Sequence, residues 1–581
     1  MSLCRTIAGC VAASAAVVAL TLPAETFAHV VVEETQPPRG AALDRQPQRV
    51  AVTFDEPVES SFGALRVFDA SGERVDAGDV ERPADDTLAV TLDAGLPDGA
   101  YTVTYRVVSV DAHPVAGGYS FTVGEAGGAS AAAVSELIES GTGPVTEVAF
   151  GAARAVGYAA TALLAGGLAF LLLVWGPGWR ALAGAGERAD RAARAFERRA
   201  ASLLAVAALA GLLATALGIP LQAATATGES LWSALDAGLI HDVLDTRFGD
   251  VWTLRLAVFA LLGVLLGRRP VATRRLRRRT FVSLALGLPC AYLIVAPPLA
   301  GHAGAGDDAA LLVPLDAIHV AAMSAWVGGV ALLLLAVPAA TRALPPQERT
   351  RLLAAVVMRF SAVASLAVAA LLATGVAQSV LQLDSLADFV DSAFGRAILV
   401  KAAVFLALVA LGGHNRRRTQ PELQRLAAGE QALGRAGLVF RRVLRAEVAL
   451  MVAALAVTAA LVSYSPSAGA QAGPFSGSAD LGPARLELTV DPARAGRNEL
   501  HIYLFDARSG AQYDRPRRLV ITARERDLDI GPLELDVRKA GPGHYAVARA
   551  NLSPAGDWEL RVRAPVSDFQ ELRAELEVPV R

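Results

Sequence analysis

Residues 315–338 read LDAIHVAAMSAWVGGVALLLLAVP, and this stretch decides the architecture. Asp316 and His319 lie near its start, and the rest is apolar or small. A helix that crosses a bilayer core needs about 20 consecutive, mainly apolar residues. Seven further stretches have the same character, near 149–174, 200–221, 251–266, 280–299, 360–380, 397–413 and 446–464. Eight membrane spans are therefore expected, with 251–266 the shortest. They account for 53% hydrophobic residues in a chain of 581. They also account for a mean hydropathy of +0.41, more than one soluble core explains.

The connections between the stretches set the orientation. Segments 179–199, 267–280, 341–359 and 414–442 hold 24 arginines, whereas 222–250, 300–314 and 381–396 hold only Arg247 and Arg396. Short loops rich in Lys and Arg stay on the cytoplasmic side. The first set is therefore expected to be cytoplasmic, with both chain termini outside, in the plasma (inner) membrane of a bacterium.

The flanking regions agree with an external N-terminus. Arg5, the apolar run from Ile7 to Leu22 and the small residues around Thr26-Phe27-Ala28 read as a secretory signal over 1–28. Cleavage after Ala28 makes His29 the new N-terminus. Residues 29–124 then alternate in short runs such as Leu88-Ala89-Val90-Thr91-Leu92, separated by turns such as Pro97-Asp98-Gly99. About 95 residues of such strands suit a small β-sandwich. A Gly/Ala/Ser-rich linker covers 125–147, the membrane domain 148–465, and a second linker 466–482. Residues 483–581 alternate again and are expected to form a second external β-sandwich.

Composition excludes several classes. A net charge of −2 offers no dense basic face for a nucleic acid. With Cys4 and Cys10 in the signal, Cys290 is the one thiol of the mature chain, so no disulfide framework or CxxC motif exists. Only four methionines occur, so soft sulfur ligands are scarce. No GxxxxGK[ST] motif is present, so transport driven by a P-loop ATPase is excluded.

The chemistry resides in the histidines. Seven of eight fall outside or near the outer face on this topology: His29, His113, His241, His302, His319, His501 and His544. Asp111 and His113 are two apart on an extended segment, which points both side chains to one face, before Pro114 turns the chain. An N-terminal His29 would add an α-amine and a second imidazole. Amine, two imidazoles and a carboxylate form an N/O set suited to tetragonal Cu(II). The bland alternative is an Asp–His surface pair at a strand end. In the fifth span Asp316, His319 and Met323 follow i, i+3, i+7 spacing and share one helix face, with His302 shortly before. These residues read as a second copper station, with Met323 and Cys290 deeper for Cu(I) if reduction occurs. Their alternative is an Asp–His hydrogen bond that packs two helices. Arg154 and Arg255 fall near outer helix ends, where snorkelling is the simple reading. Glu447 is expected to pair with a cytoplasmic-side arginine, and His501 and His544 to lie on the surface.

Residues 29–124 resemble the CopC copper-binding domain through Phe54-Asp55-Glu56-Pro57-Val58, Gly99-Ala100-Tyr101 and Ser109 to Gly118. That resemblance implies a Greek-key β-sandwich with His29, Asp111 and His113 as Cu(II) ligands. No methionine occurs in 29–124, so the Met-rich Cu(I) site of some members is expected to be absent. Residues 148–465 resemble the CopD membrane domain through Trp252-Thr253-Leu254-Arg255, Asp316 to His319, Trp326 to Gly329, Lys401 and Glu447. Residues 483–581 are similar, more weakly, to YtkA/FixH-type domains through Gly541 to Tyr545 and Gly556-Asp557-Trp558. The order resembles that of a YcnJ-type CopC–CopD fusion, which implies copper capture and copper import or transfer across or at the plasma membrane, contributing to copper homeostasis or resistance, and no enzyme activity. The expected partners are copper ions, the lipid bilayer and a periplasmic copper chaperone or cuproenzyme. Two other readings remain open at this point: a delivery scaffold or metal sensor without transport, and an oxidase or monooxygenase built on the N-terminal histidine.

Overall fold

The structure is a computed structural model. It describes residues 32–39, 41–54, 57–59, 65–109, 114–124, 143–182, 186–228, 230, 232, 235–267, 276–304, 309–383, 386, 388–462, 475–491, 493, 495–508, 512–526, 528, 530–567 and 570–580.

In the N-terminal domain, β1 (Val32–Gln36), β3 (Arg49–Phe54), β7 (Thr87–Leu92) and β6 (Asp76–Ala84) form one sheet in the order β1-β3-β7-β6. The second sheet runs β2 (Ala42–Leu43), β9 (Pro114–Val123), β8 (Gly99–Ser109), β4 (Val58–Glu59), and β5 (Leu65–Phe68) also pairs with β8. Val50, Val52, Leu88 and Val90 of the first sheet pack with Leu65, Val67, Val103 and Phe121 of the second. This apolar packing holds the sandwich together, as its short alternating strands predict.

The membrane domain contains eight principal helices, in positions that match the eight apolar stretches. They are α1 (Pro144–Ala169), α2 (Gly186–Thr227), α3 (Arg247–Gly267), α4 (Leu276–Leu299), α5 (Ala309–Leu335), α6 (Pro346–Gln382), α7 (Ala393–His414) and α8 (Gly434–Leu461). Seven helices among the described residues are long and apolar enough to cross a membrane. In α4 the described side chains begin at Ala285, and Ala285–Leu299 is apolar. It contains Pro289, Pro297 and Pro298, each of which removes a backbone donor. The expected shortest span, 251–266, instead lies in a 21-residue helix that qualifies.

Helices α2 and α6 contain 42 and 37 residues. At 1.5 Å per residue both exceed the roughly 30 Å of a hydrocarbon core. Their first turns carry polar residues, and Arg188 of α2 pairs with Glu348 of α6 at 3.0 Å. Helices α1 and α5 approach closely through small residues. A Cβ placed on Gly328 would meet the Ala162 carbonyl and come within 2.8 Å of Gly166 Cα, and a Cβ on Gly166 would meet the Ser324 carbonyl. In a lipid setting such small-residue contacts let helices gain packing energy without a hydrophobic driving force.

The C-terminal domain is a second sandwich. Its sheets run β10 (Phe475–Asp480), β11 (Ala484–Asp491), β12 (Gly496–Asp506), β16 (His544–Leu552), β15 (Arg538–Gly541) and β14 (Ile530–Leu535), β13 (Val520–Glu525), β17 (Gly556–Ser567), β18 (Gln570–Val580). Trp558 is fully buried at the centre of its core. The surface reading of His501 and His544 is corrected: both are buried, with His501 Nδ1 3.2 Å from His544 Nε2. Tyr503, on the same face of β12 as His501, stacks on His544 with ring centroids 4.3 Å apart. Burial, with His501 alongside, pushes the His544 pKa down to about 3.

The contact between α1 and α5 yields a test. Gly328→Ala should destabilise the full-length protein by about 1–3 kcal/mol, the usual cost of overpacking. Gly287→Ala on α4, where a Cβ meets nothing within 4 Å, should leave melting unchanged or raise it. Thermal unfolding in detergent micelles measures both, and equal melting of Gly328→Ala and wild type would refute the close approach.

Candidate metal centre

Three of the expected ligands, His29, Asp111 and His113, lie outside the described residues. The strands around them are described. β8 and β9 form an antiparallel hairpin in which Val108 faces Pro114. Val32, at the start of β1, pairs with Phe54 at the end of β3. Val58 pairs with Ser109 at the end of β8. Phe54 and Tyr105 meet edge-to-face, with centroids 5.7 Å apart. The start of β1, the end of β8 and the start of β9 thus lie at the same end of the sandwich, although they are some 80 residues apart in sequence.

In the membrane domain, Asp316 and His319 lie one turn apart on α5 and face α6. Gln378 Nε2 donates to Asp316 Oδ1 at 3.2 Å, and His319 Nδ1 lies 2.9 Å from Thr374 Oγ1. Thr374 Oγ1 lies 2.8 Å from the Ala370 carbonyl, the usual acceptor of a helical threonine. With its one proton donated there, Thr374 accepts from His319, the assignment in which Nδ1 carries the imidazole proton. In the neutral ring this leaves the lone pair on Nε2. A hydrogen bond on the opposite nitrogen that fixes tautomer and ring orientation is the arrangement of a metal-binding histidine. The same bonds also satisfy the bland alternative of helix packing, because both side chains join α5 to α6.

Lys401 of α7 lies within electrostatic range of Asp316 and His319. His302 belongs to the turn His302–Gly304, which packs against α5, but its side chain lies outside the described residues. The deeper residues are not aligned: Met323 packs in the cluster around Trp326, whereas Cys290 is buried with Leu286 and Leu293 in another. Among the described residues, no group of three or more His, Cys, Asp or Glu side chains is placed to hold a metal ion. Asp316 and His319 therefore supply two donors, and a bound ion would need further ligands.

Two expectations are corrected. Among the described residues Glu447 does not pair with an arginine. It is buried and accepts from Asn415 Nδ2 at 2.9 Å, and Asn415 in turn accepts from Thr419. Arg255 does not snorkel: it is 3% exposed and turned into the bundle. Thr374 and Gln378 were not picked out from the sequence. Their signal was the i, i+4 spacing of two polar residues on one face of α6, about one turn apart like Asp316 and His319 on the facing helix.

Comparison with known proteins follows the same division. Residues 32–124 match the CopC domain family, 145–312 the copper resistance protein D-like N-terminal domain, and 354–461 copper resistance protein D. A copper transport protein of Bacillus subtilis, CutJ, is 27% identical over 561 residues, which cover 95% of this chain and 96% of that protein. Protein YobA of Escherichia coli is 32% identical over 99 residues, 17% of this chain and 80% of its own length. The crystal structure of CopC from Methylosinus trichosporium OB3b is 28% identical, covering 16% of this chain and 93% of its own, with a TM-score of 0.15. With a CopC domain ahead of a CopD membrane domain in a single polypeptide, the chain belongs to the CopC–CopD copper resistance family.

Proposed function

We propose that the protein captures Cu(II) outside a bacterial plasma membrane and passes copper into or across that membrane. In this reading His29, with its free α-amine, and Asp111 and His113 form the capture site. His302, Asp316 and His319 form a second, weaker station at the outer mouth of the membrane domain. Copper is the cargo, and both chain termini lie outside. The name of the relative that spans nearly the whole chain, a copper transport protein, supports transport over a soluble scaffold.

The observation that carries the transport half is the fixed imidazole of His319. Thr374 holds its proton on Nδ1, so a neutral Nε2 is available beside the carboxylate of Asp316. A carboxylate at that depth offsets part of the cost of removing a cation from water. The capture half is supported by the strand topology, which brings the start of β1, the end of β8 and the start of β9 to one end of the sandwich.

The capture site is tested by moving the amine. One residue added before His29 leaves every side chain intact but separates the α-amine from the imidazole. The extended form should bind Cu(II) more weakly and change its EPR spectrum. Native affinity should rise with pH as the amine, with a reference pKa of about 7.7–8.0, loses its proton. Equal affinity and identical spectra in the two forms would remove the amine from the site.

The membrane station is tested through its positioning residue. With the external site disabled by His113→Ala, Thr374→Val removes the acceptor for His319 Nδ1 at nearly constant shape. Copper affinity of the full chain should fall about 10–100-fold, the usual cost of losing such a partner. Thr374→Ser should restore it. Unchanged affinity in Thr374→Val would leave His319 with a packing role alone.

A further inference from the structure

One polar site of the membrane domain has no place in the copper reading. At the end of the bundle where α1 begins, α2 ends and α3 begins, these helices border a small, partly open pocket lined by Arg154, Gly157, Thr215, Gly218, Trp252 and Arg255. Arg255 is 3% exposed, and its Nε has no hydrogen-bond partner. Among the described residues it forms no ion pair with a carboxylate, and Tyr158 and Tyr292 are the groups in electrostatic range. Its guanidinium carbon lies 5.0 Å from the Trp252 ring centroid and 5.7 Å from that of Phe259. Arg154, on the same wall, lies 3.9 Å over Phe150.

Ring faces attract a cation but do not neutralise it. A guanidinium stays charged at any accessible pH, so Arg255 keeps a buried positive charge that the described residues leave without a counter-anion. The arginine and tryptophan N–H groups at the pocket are donors. A Cβ on Gly157 would come within 2.9 Å of Arg255 Nη2, and one on Gly218 within 2.7 Å of Trp252 Nε1, so both N–H groups border space kept open by glycine. The Thr215 hydroxyl already donates to the Gly211 carbonyl at 2.7 Å. A pocket that holds the buried Arg255 charge repels copper cations and selects the opposite charge.

We propose that this pocket binds an oxyanion of the phosphate class. The forked donors of arginine match paired oxygens in a way that a point charge does not. The pocket is small and open on one side, so the occupant is a small ion, or only the phosphate of a lipid headgroup. The site is separate from the copper station, and its loss and the loss of copper binding are distinguishable.

The test uses full-length protein in maltoside micelles, stripped of lipid and phosphate. Inorganic phosphate replaces chloride at constant ionic strength, and in a second arm phosphatidic acid is added instead. A ligand that binds only the folded state raises Tm with the logarithm of its concentration once that exceeds Kd. Wild type should show such a rise in at least one arm. A response to inorganic phosphate assigns a soluble ion, and a response to phosphatidic acid alone assigns a headgroup. Arg255→Gln should abolish the rise. Gly157→Ala keeps both arginines but fills the space at Arg255 Nη2, and should move the onset of the rise to at least tenfold higher concentration. If Arg255→Gln does not fold, Gly157→Ala decides. No concentration-dependent rise in either arm, or the same rise in every variant that folds, would overturn the proposal.

Discussion

Gly328 of α5 lies against Ala162 and Gly166 of α1 with no room for a side chain between the backbones, and the rest of the bundle is arranged around that contact. Lipid tails are as apolar as leucine, so helices in a membrane associate through close packing and polar contacts. With α1 and α5 in contact, the start of α5 is fixed in depth and rotation. Asp316 and His319 then face α6, where Gln378 and Thr374 receive them. On the next face of α5, Trp326 meets Phe405 of α7 edge-on, with centroids 6.2 Å apart, and α7 also carries Lys401. A glycine contact with no chemistry of its own thus sets the geometry of the polar groups.

Those polar groups divide by sign along one end of the bundle. Asp316 and His319 offer an anionic oxygen and a neutral nitrogen, the ligand types that suit a divalent transition metal. Arg154 and Arg255 occupy a separate pocket between α1, α2 and α3. Tyr158 of α1 lies within electrostatic range of Arg154, Arg255 and Asp316. Lys401 near Asp316 adds an internal cation that would compete with an arriving metal ion for the same carboxylate.

Features set by composition and local spacing were legible in the sequence. The eight apolar stretches coincide with α1 to α8, because a bilayer demands a minimum apolar length wherever the chain crosses it. The i, i+3 step from Asp316 to His319 correctly placed both on one helix face. What the sequence hid is non-local. The partners Thr374 and Gln378 lie on another helix, and nothing in their own neighbourhood names Asp316 as their target. Glu447 was assigned an arginine on charge alone, but the neutral amide of Asn415 sits opposite it. In β12, alternation puts Leu500, Ile502 and Leu504 on the core face and His501 and Tyr503 on the other. An exposed reading followed, and only the pairing with β16 shows that His544 meets them there.

The central claim is that a neutral, Thr374-oriented His319 beside Asp316 carries copper through the membrane domain. It is tested most directly by copper uptake into vesicles reconstituted with the full chain. Wild type should accumulate copper above protein-free vesicles. His319→Ala and Asp316→Asn, with normal insertion and intact external copper binding, should lose most of that uptake. Uptake at the wild-type rate in both variants would contradict the account.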